Sequence, residues 1–274
     1  MSNLFGFDGG DTWLHHLSGA TKMLAFVGIS IIAMASYDLR FTAAIMVMSL
    51  ILFYQAKIKW SQVSLVVKII TAFSLLNLIT VYLFSPEYGV QLYGTRHLLF
   101  GSGYLTVTSE QLFYELNLLS KYIVTVPLAL IFLITTNPSE FAASLNKIHL
   151  SYKVSYSVAL ALRYIPDIQN VYHQISLSQQ ARGYELSKKA KFSQRLKGSA
   201  QILMPLIFSS LDRIDTVSQA MELRRFGRKK HRTWYMDHPF AWQDWLTLAG
   251  TAAIILIGAW LFKVNGGRFY NPFR

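Results

Sequence analysis

Apolar residues gather into five runs, at 22–36, 39–56, 63–84, 116–136 and 245–262. A helix needs about 20 residues to cross a bilayer, so these runs read as membrane spans. The first is short and takes residues 17–21 as an interfacial extension. The Tyr37-Asp38-Leu39-Arg40 link reads as a tight turn, which makes the first two runs an antiparallel pair. Between the fourth and fifth runs the pattern changes. Val158, Leu162, Ile165, Ile168, Tyr172 and Ile175 recur at helical spacing, and Ile207, Leu211, Ile214, Val217 and Met221 repeat it. These stripes predict amphipathic helices over 154–180 and 201–222 that bury their apolar faces against each other. Pro166 is expected to kink the first, and Pro205 to kink or break the start of the second.

Two further helix starts are marked. Thr108-Ser109-Glu110-Gln111 reads as a capping box opening the fourth span. Asn137-Pro138-Ser139-Glu140 places Asn at an N-cap and Pro in the first turn, predicting a short helix from Pro138 to about Lys147.

Composition agrees with the pattern. The 274 residues are 53% hydrophobic and 15% charged, with mean hydropathy +0.32. An ordinary soluble domain carries about 25% charged residues, so the chain falls in the membrane class. The chain has no cysteine, which removes disulfide and thiolate chemistry. Net charge is +12, and it is unevenly spread. The link at 57–62 carries Lys57 and Lys59. The link at 85–115 carries Arg96 against Glu87, Glu110 and Glu115. Residues 137–240 carry 16 Lys and Arg against 7 Asp and Glu. Basic loops stay in the cytosol, so the N-terminus and 137–240 are expected inside, and 85–115 and the C-terminus outside. Trp234, Tyr235, Phe240, Trp242 and Trp245 mark where the last span enters the interface. The expected fold is all-α: a polytopic membrane protein of about five transmembrane helices with a cytosolic set of long helices. Its expected parts are 1–136 with four spans, 137–232 in the cytosol, and 233–274 with the last span.

Candidate chemistry is sparse. Lys68 and Lys121 lie close enough to span ends to snorkel. Asn77 reads as an interhelical hydrogen-bond partner. No span carries an internal Asp, Glu or His, as a proton-coupled carrier or ion channel usually does. His15 and His16 stand near Asp8 and Asp11, but adjacent histidines point apart and chelate poorly; this is an interfacial segment. There is no phosphate-binding Gly-Lys-Ser/Thr loop, no His-Glu-x-x-His and no triad, so no catalytic residue, metal or cofactor is expected. Residues 184–197 carry Lys188, Lys189, Lys191, Arg195 and Lys197, a run that equally suits a face for anionic lipid.

Two arginines stand out. Ala181-Arg182-Gly183 closes the first amphipathic helix, and Leu223-Arg224-Arg225-Phe226-Gly227 closes the second. Each is followed within three residues by glycine, which readily adopts the positive φ found just past a helix end. A cation there also meets the negative end of the helix dipole. Arg225 is placed on the helix about 100° round from Arg224.

These stretches resemble the T component of energy-coupling factor (ECF) transporters, the ABC-type vitamin and metal importers. That family carries two Ala-Arg-Gly-like motifs at the ends of cytosolic coupling helices. Ala181-Arg182-Gly183 matches the first. Ala220-Met221-Glu222-Leu223-Arg224-Arg225-Phe226-Gly227 keeps the frame of the second, with Leu223 and Arg225 replacing small residues. Thr136-Asn137-Pro138, Ala161-Leu162-Arg163-Tyr164-Ile165-Pro166, Met204-Pro205-Leu206 and 105–112 also match. Leu17-Ser18-Gly19-Ala20-Thr21-Lys22 keeps only the frame of the family's Leu-Asp-Pro-Arg-Thr-Lys. The resemblance implies a non-catalytic subunit of a prokaryotic cell membrane. It implies that two cytosolic ABC ATPase subunits dock on Ala181, Arg182, Gly183, Leu223, Arg224 and Arg225. It also implies one small substrate-binding S component, met by apolar residues such as Met204, Leu211, Ile214 and Met221. Membrane lipid is the remaining partner, and nucleic acid is not expected. The rival reading is a membrane-anchored protein that binds anionic lipid or nucleic acid through its basic 184–232 region.

Overall fold

The computed structural model describes residues 12–101, 106–184, 192–228, 233–234 and 238–273, with side chains left aside over 192–197. Two compact units divide the chain: residues 1–137 together with 238–274, and residues 138–237.

The first unit begins with a single helical turn, α1 (Trp13–His16), and two 17-residue apolar helices, α2 (Gly19–Ala35) and α3 (Leu39–Gln55). α2 starts three residues before the apolar run because Ser18 and Gly19 are already buried. α4 (Trp60–Phe84) follows, then α5 (Tyr88–Tyr93) and a two-stranded antiparallel hairpin, β1 (Leu98–Phe100) with β2 (Val107–Thr108). α6 (Ser109–Thr135) is opened by Thr108, whose hydroxyl accepts from Gln111 N at 3.3 Å. The Gln111 carboxamide does not close the box; its oxygen accepts from Gly89 N at 2.9 Å instead. α10 (Trp242–Val264) completes the unit.

Three helices, α4, α6 and α10, are long and apolar enough to cross a membrane, and α2 and α3 are shorter apolar helices. With only short strands among the described residues, the protein is an all-α, multi-pass membrane protein. α6 is the hub, packed by α2, α3 and α4. Ile29, Ile32 and Ala33 of α2, Phe41 and Ile45 of α3, and Val124 and Leu128 of α6 form its core. α10 lies along α2, and its ends are pinned. Asp244 accepts from Ser18 N at 2.9 Å at one end, and Asn265 Nδ2 donates to Asp38 at 2.9 Å at the other. Between them Gly258 lets the helices close: a Cβ there would stand 2.5 Å from Ile32 Cγ1. Small residues at membrane helix contacts serve this approach.

Two expectations about polar groups in the spans are corrected. Lys121 does not snorkel. It is buried, and its ammonium donates to Met34 O at 2.8 Å and lies 3.1 Å from the Tyr37 ring centroid. Asn77 makes no side-chain hydrogen bond among the described residues. α4 packs on α6 along one side only, and most of its apolar side chains, such as Ile69, Phe73 and Leu76, remain exposed.

The second unit holds α7 (Pro138–Lys147), α8 (Tyr152–Ala181) and α9 (Phe192–Leu223). Ser151 caps α8, accepting from Val154 N at 3.4 Å. α8 runs through Pro166, and α9 runs through Pro205 and starts well before it. Pro205 therefore does not break the helix start. Trp234 also departs from expectation. It is packed inside this unit on Tyr152 and Tyr156, with its indole N–H donating to Asn146 Oδ1 at 3.2 Å. Tyr235, Lys188, Lys189 and Lys191 lie outside the described residues, as do Asp8 and Asp11, and the side chains of Arg195 and Lys197 are not described.

Candidate functional site

α8 and α9 form an antiparallel pair. At one end Phe226, just past α9, packs on Tyr156 and Tyr152 at the start of α8, with centroids 4.6 and 5.8 Å apart. In the middle Arg213 donates to Asp167 Oδ2 at 3.3 Å. At the far end Gln201 Nε2 donates to the Tyr184 hydroxyl at 3.2 Å. The contacts run in opposite sequence order, so Arg182 and Arg224 stand at opposite ends of the pair. α8 has 30 residues; a straight helix of that length is about 45 Å long.

The two arginines occupy the same position in the same turn. At the end of α8, Gly183 N donates to Gln180 O at 3.0 Å and Tyr184 N to Gln179 O at 3.1 Å. At the end of α9, Arg225 N donates to Glu222 O at 2.8 Å and Phe226 N to Met221 O at 2.9 Å. This paired pattern is the Schellman motif, and it makes Arg182 and Arg224 the C-caps. The next residue must be left-handed. Gly183 takes φ +89°, as its sequence predicts. At the second turn the left-handed residue is Arg225, at φ +55°, and not Gly227. Arg225 therefore does not continue the helix 100° round from Arg224; it is the residue that reverses the chain. Phe226, held by the Tyr152–Tyr156 pair, fixes the turn there. Gly227 also has positive φ, +82°, and serves the bend beyond.

Ala181, Arg182, Gly183, Leu223, Arg224 and Arg225 are all exposed. Leu223 is 86% exposed, a bare apolar side chain beside Arg224. Among the described residues neither the Arg182 nor the Arg224 guanidinium makes a hydrogen bond or ion pair. Each site thus presents an unengaged planar fork at the end of a rigid helix. Such a fork makes bidentate bonds to carboxylates and carbonyls.

A groove of about 410 Å³ runs between α8 and α9, lined by Leu160, Tyr164, Ile168, Ile214, Val217 and Met221 among others. Of the residues expected to meet a membrane partner, Ile214 and Met221 line this groove. Met204 and Leu211 lie exposed on α9 outside it, with Leu203, Ile207 and Phe208. The aromatic residues that hold the second turn, Tyr152, Tyr156 and Phe226, were not legible as part of the site. Their contact joins residues about 70 positions apart, and no local spacing announces it.

Residues 10–235 match the family model described as cobalt transport protein, CbiQ. Curated relatives match over nearly the whole chain. One, from Streptococcus equi, is an energy-coupling factor transporter transmembrane protein EcfT; it is 26% identical over 261 residues, covering 92% of this chain and 93% of the relative. The protein of the same name from Streptococcus thermophilus is 26% identical over 265 residues, with 93% and 96% covered. That from Leuconostoc gelidum is 26% identical over 260 residues, with 90% and 92% covered. With the apolar helices and the paired arginine turns, these matches place the chain in the CbiQ family, as the transmembrane T component of an energy-coupling factor transporter.

Proposed function

We propose that this chain couples two cytosolic ATPase subunits to a small membrane-embedded S component that holds a vitamin or metal ion. The observation that carries the reading is the equivalence of Arg182 and Arg224. Two like ATPase subunits need two like sockets, set apart. Here two helix-end turns of the same hydrogen-bond pattern, each capped by an exposed arginine, stand at opposite ends of one antiparallel pair. A push on either end is delivered along a packed helix pair braced by Asp167–Arg213. The apolar groove between α8 and α9, with the exposed stripe of α9, offers the surface for the S component. The chain itself hydrolyses nothing. It resides in a prokaryotic cell membrane, with the N-terminus and the second unit in the cytosol and the C-terminus outside.

The test is the double substitution Arg182→Ala with Arg224→Ala. Truncating a charge-paired interface arginine costs about 2–5 kcal/mol, roughly 30- to several-thousand-fold in affinity. Each single change is expected to weaken co-purification of the ATPases, and the double change to abolish ATP-driven uptake while the protein still inserts. Arg→Lys is expected to rescue poorly, because an ammonium lacks the fork. A mere dipole cap is worth about 0.3–1 kcal/mol. Normal uptake and stoichiometric ATPases in the double variant would reduce the arginines to that role.

A further inference from the structure

Two neighbouring cavities share Phe53 in their lining, on the side of the first unit where α3 turns into α4. One, of about 800 Å³, opens at the turn and is lined by Trp13, Tyr54, Lys57 and Lys59 with Phe53. The other, of about 380 Å³, runs between α3, α4 and α6 and is lined by Leu50, Phe53, Trp60, Val67, Val126 and Leu130 among others. The first is cationic and aromatic. The second is apolar and lies on two helices long enough to span the bilayer. A single ligand filling both must carry an anion at one end and a long apolar chain at the other.

The polar end is built with care. Lys57 is a non-glycine residue held at φ +52°. Its amide donates to Tyr54 O at 3.1 Å, and Ala56 N donates to Leu52 O at 2.9 Å, so the left-handed turn is fixed by backbone bonds. A left-handed conformation costs an ordinary L-residue about 1 kcal/mol or more, and such strain concentrates at functional sites. Across the mouth, the Trp13 indole N–H is held by Gln55 Oε1 at 3.1 Å, which orients the ring as one wall. Trp60, next in the chain after Lys59, lines the apolar cavity and is 63% exposed; a tryptophan beside basic residues at the start of a span is a usual interfacial anchor.

We propose that this double cavity binds one anionic phospholipid. Its phosphate lies by Lys57 and Lys59, and one acyl chain passes Trp60 into the slot between Val67, Val126 and Leu130. The charge chooses the occupant. A zwitterionic lipid fits the apolar slot but gains no net attraction from two lysines. A basic residue near the surface favours anionic lipid by about fivefold, so two favour it by about 25-fold.

The experiment uses the full chain in nanodiscs of phosphatidylcholine containing rising fractions of lipid brominated on its acyl chains. Bromine quenches nearby tryptophan. The difference between the native chain and Trp60→Phe isolates the Trp60 signal. Brominated phosphatidylglycerol is expected to quench that signal at about 25-fold lower mole fraction than brominated phosphatidylcholine. Lys57→Asn with Lys59→Gln, where asparagine tolerates the left-handed backbone, is expected to bring the two lipids within about twofold. Lys57→Arg with Lys59→Arg is expected to keep most of the preference. Equal quenching of the Trp60 signal by the two lipids would overturn the proposal. So would no quenching by either, or a preference that survives loss of both lysines.

Discussion

Lys22 and Lys121 clamp the antiparallel α2–α6 pair reciprocally, each donating to a carbonyl in the other's helix. Lys22 Nζ reaches Thr135 O, the last carbonyl of α6, at 2.8 Å. Lys121 Nζ reaches Met34 O, in the last turn of α2, at 2.8 Å. The final carbonyls of a helix have no partner within it, and a cation there also meets the negative end of the dipole. Both lysines are buried. Hydrogen bonds to charged groups contribute about 1.5–3 kcal/mol each. Lys22→Met and Lys121→Met are each expected to lower stability by about that much in denaturant titrations of the detergent-solubilised chain. The sites are about 18 Å apart along α2, so the losses should add. A neutral result at either site would remove it from the clamp.

Asp38 gives a pH-dependent tie. It caps α3, accepting from Arg40 N at 3.1 Å, and holds Asn265 of α10 at 2.9 Å. Burial alone would raise its carboxyl. Bonds from Arg40 and Asn265, with the charge of Arg40, outweigh that and hold it below its ordinary value of 3.8. A depressed carboxyl stabilises the fold above its unfolded pKa and loses that contribution as pH falls through the lower folded value. The stability gap between the native chain and Asp38→Asn is therefore expected to be constant from about pH 5 to 8 and to shrink below about pH 4. A gap that widens on acidification would contradict it.

The helices were legible wherever local chemistry decides. Pro138 after Asn137 marks the start of α7, and the apolar runs mark α3, α4 and α10 to within a few residues. Gly183 announces its own left-handed turn. What stayed hidden depends on long-range contact. Lys121 looks like a snorkelling residue until the carbonyl of Met34 is brought to it by the α2–α6 packing. Trp234 looks interfacial until it meets Tyr152 and Asn146. Arg225 looks helical because Gly227 is the obvious terminator two residues on. The fold chooses otherwise because Phe226 finds the Tyr152–Tyr156 pair.

Orientation can be read on the cysteine-free chain. Ser178 in α8 and Gln91 in α5 are both exposed. Under the charge-derived topology, Gln91→Cys is expected to label from outside intact cells with a membrane-impermeant maleimide. Ser178→Cys is expected to label only after permeabilisation. The reverse pattern would invert the protein in the membrane and move the arginine turns away from any cytosolic ATPase.

The two arginine turns make opposite predictions for glycine. At the first, Gly183 sits at φ +89°, so Gly183→Ala forces a side chain into the left-handed region. That costs about 1–2 kcal/mol, and α8 should fray at its end. At the second, Arg225 already bears that cost at φ +55°. Arg225→Gly relieves it, while the freer unfolded chain gives back about 0.4–1 kcal/mol. The net gain is expected to be about 0.5–1 kcal/mol. The sensitive readout is hydrogen exchange of the Phe226 amide, which donates to Met221 O in the turn. Its protection should rise about two- to fivefold in Arg225→Gly if exchange occurs by local opening. Arg224 keeps its C-cap position in that variant, so ATPase co-purification should fall less than in Arg224→Ala. Faster exchange at Phe226 would mean that contacts of the Arg225 side chain, and not the backbone pattern, hold the second turn in place.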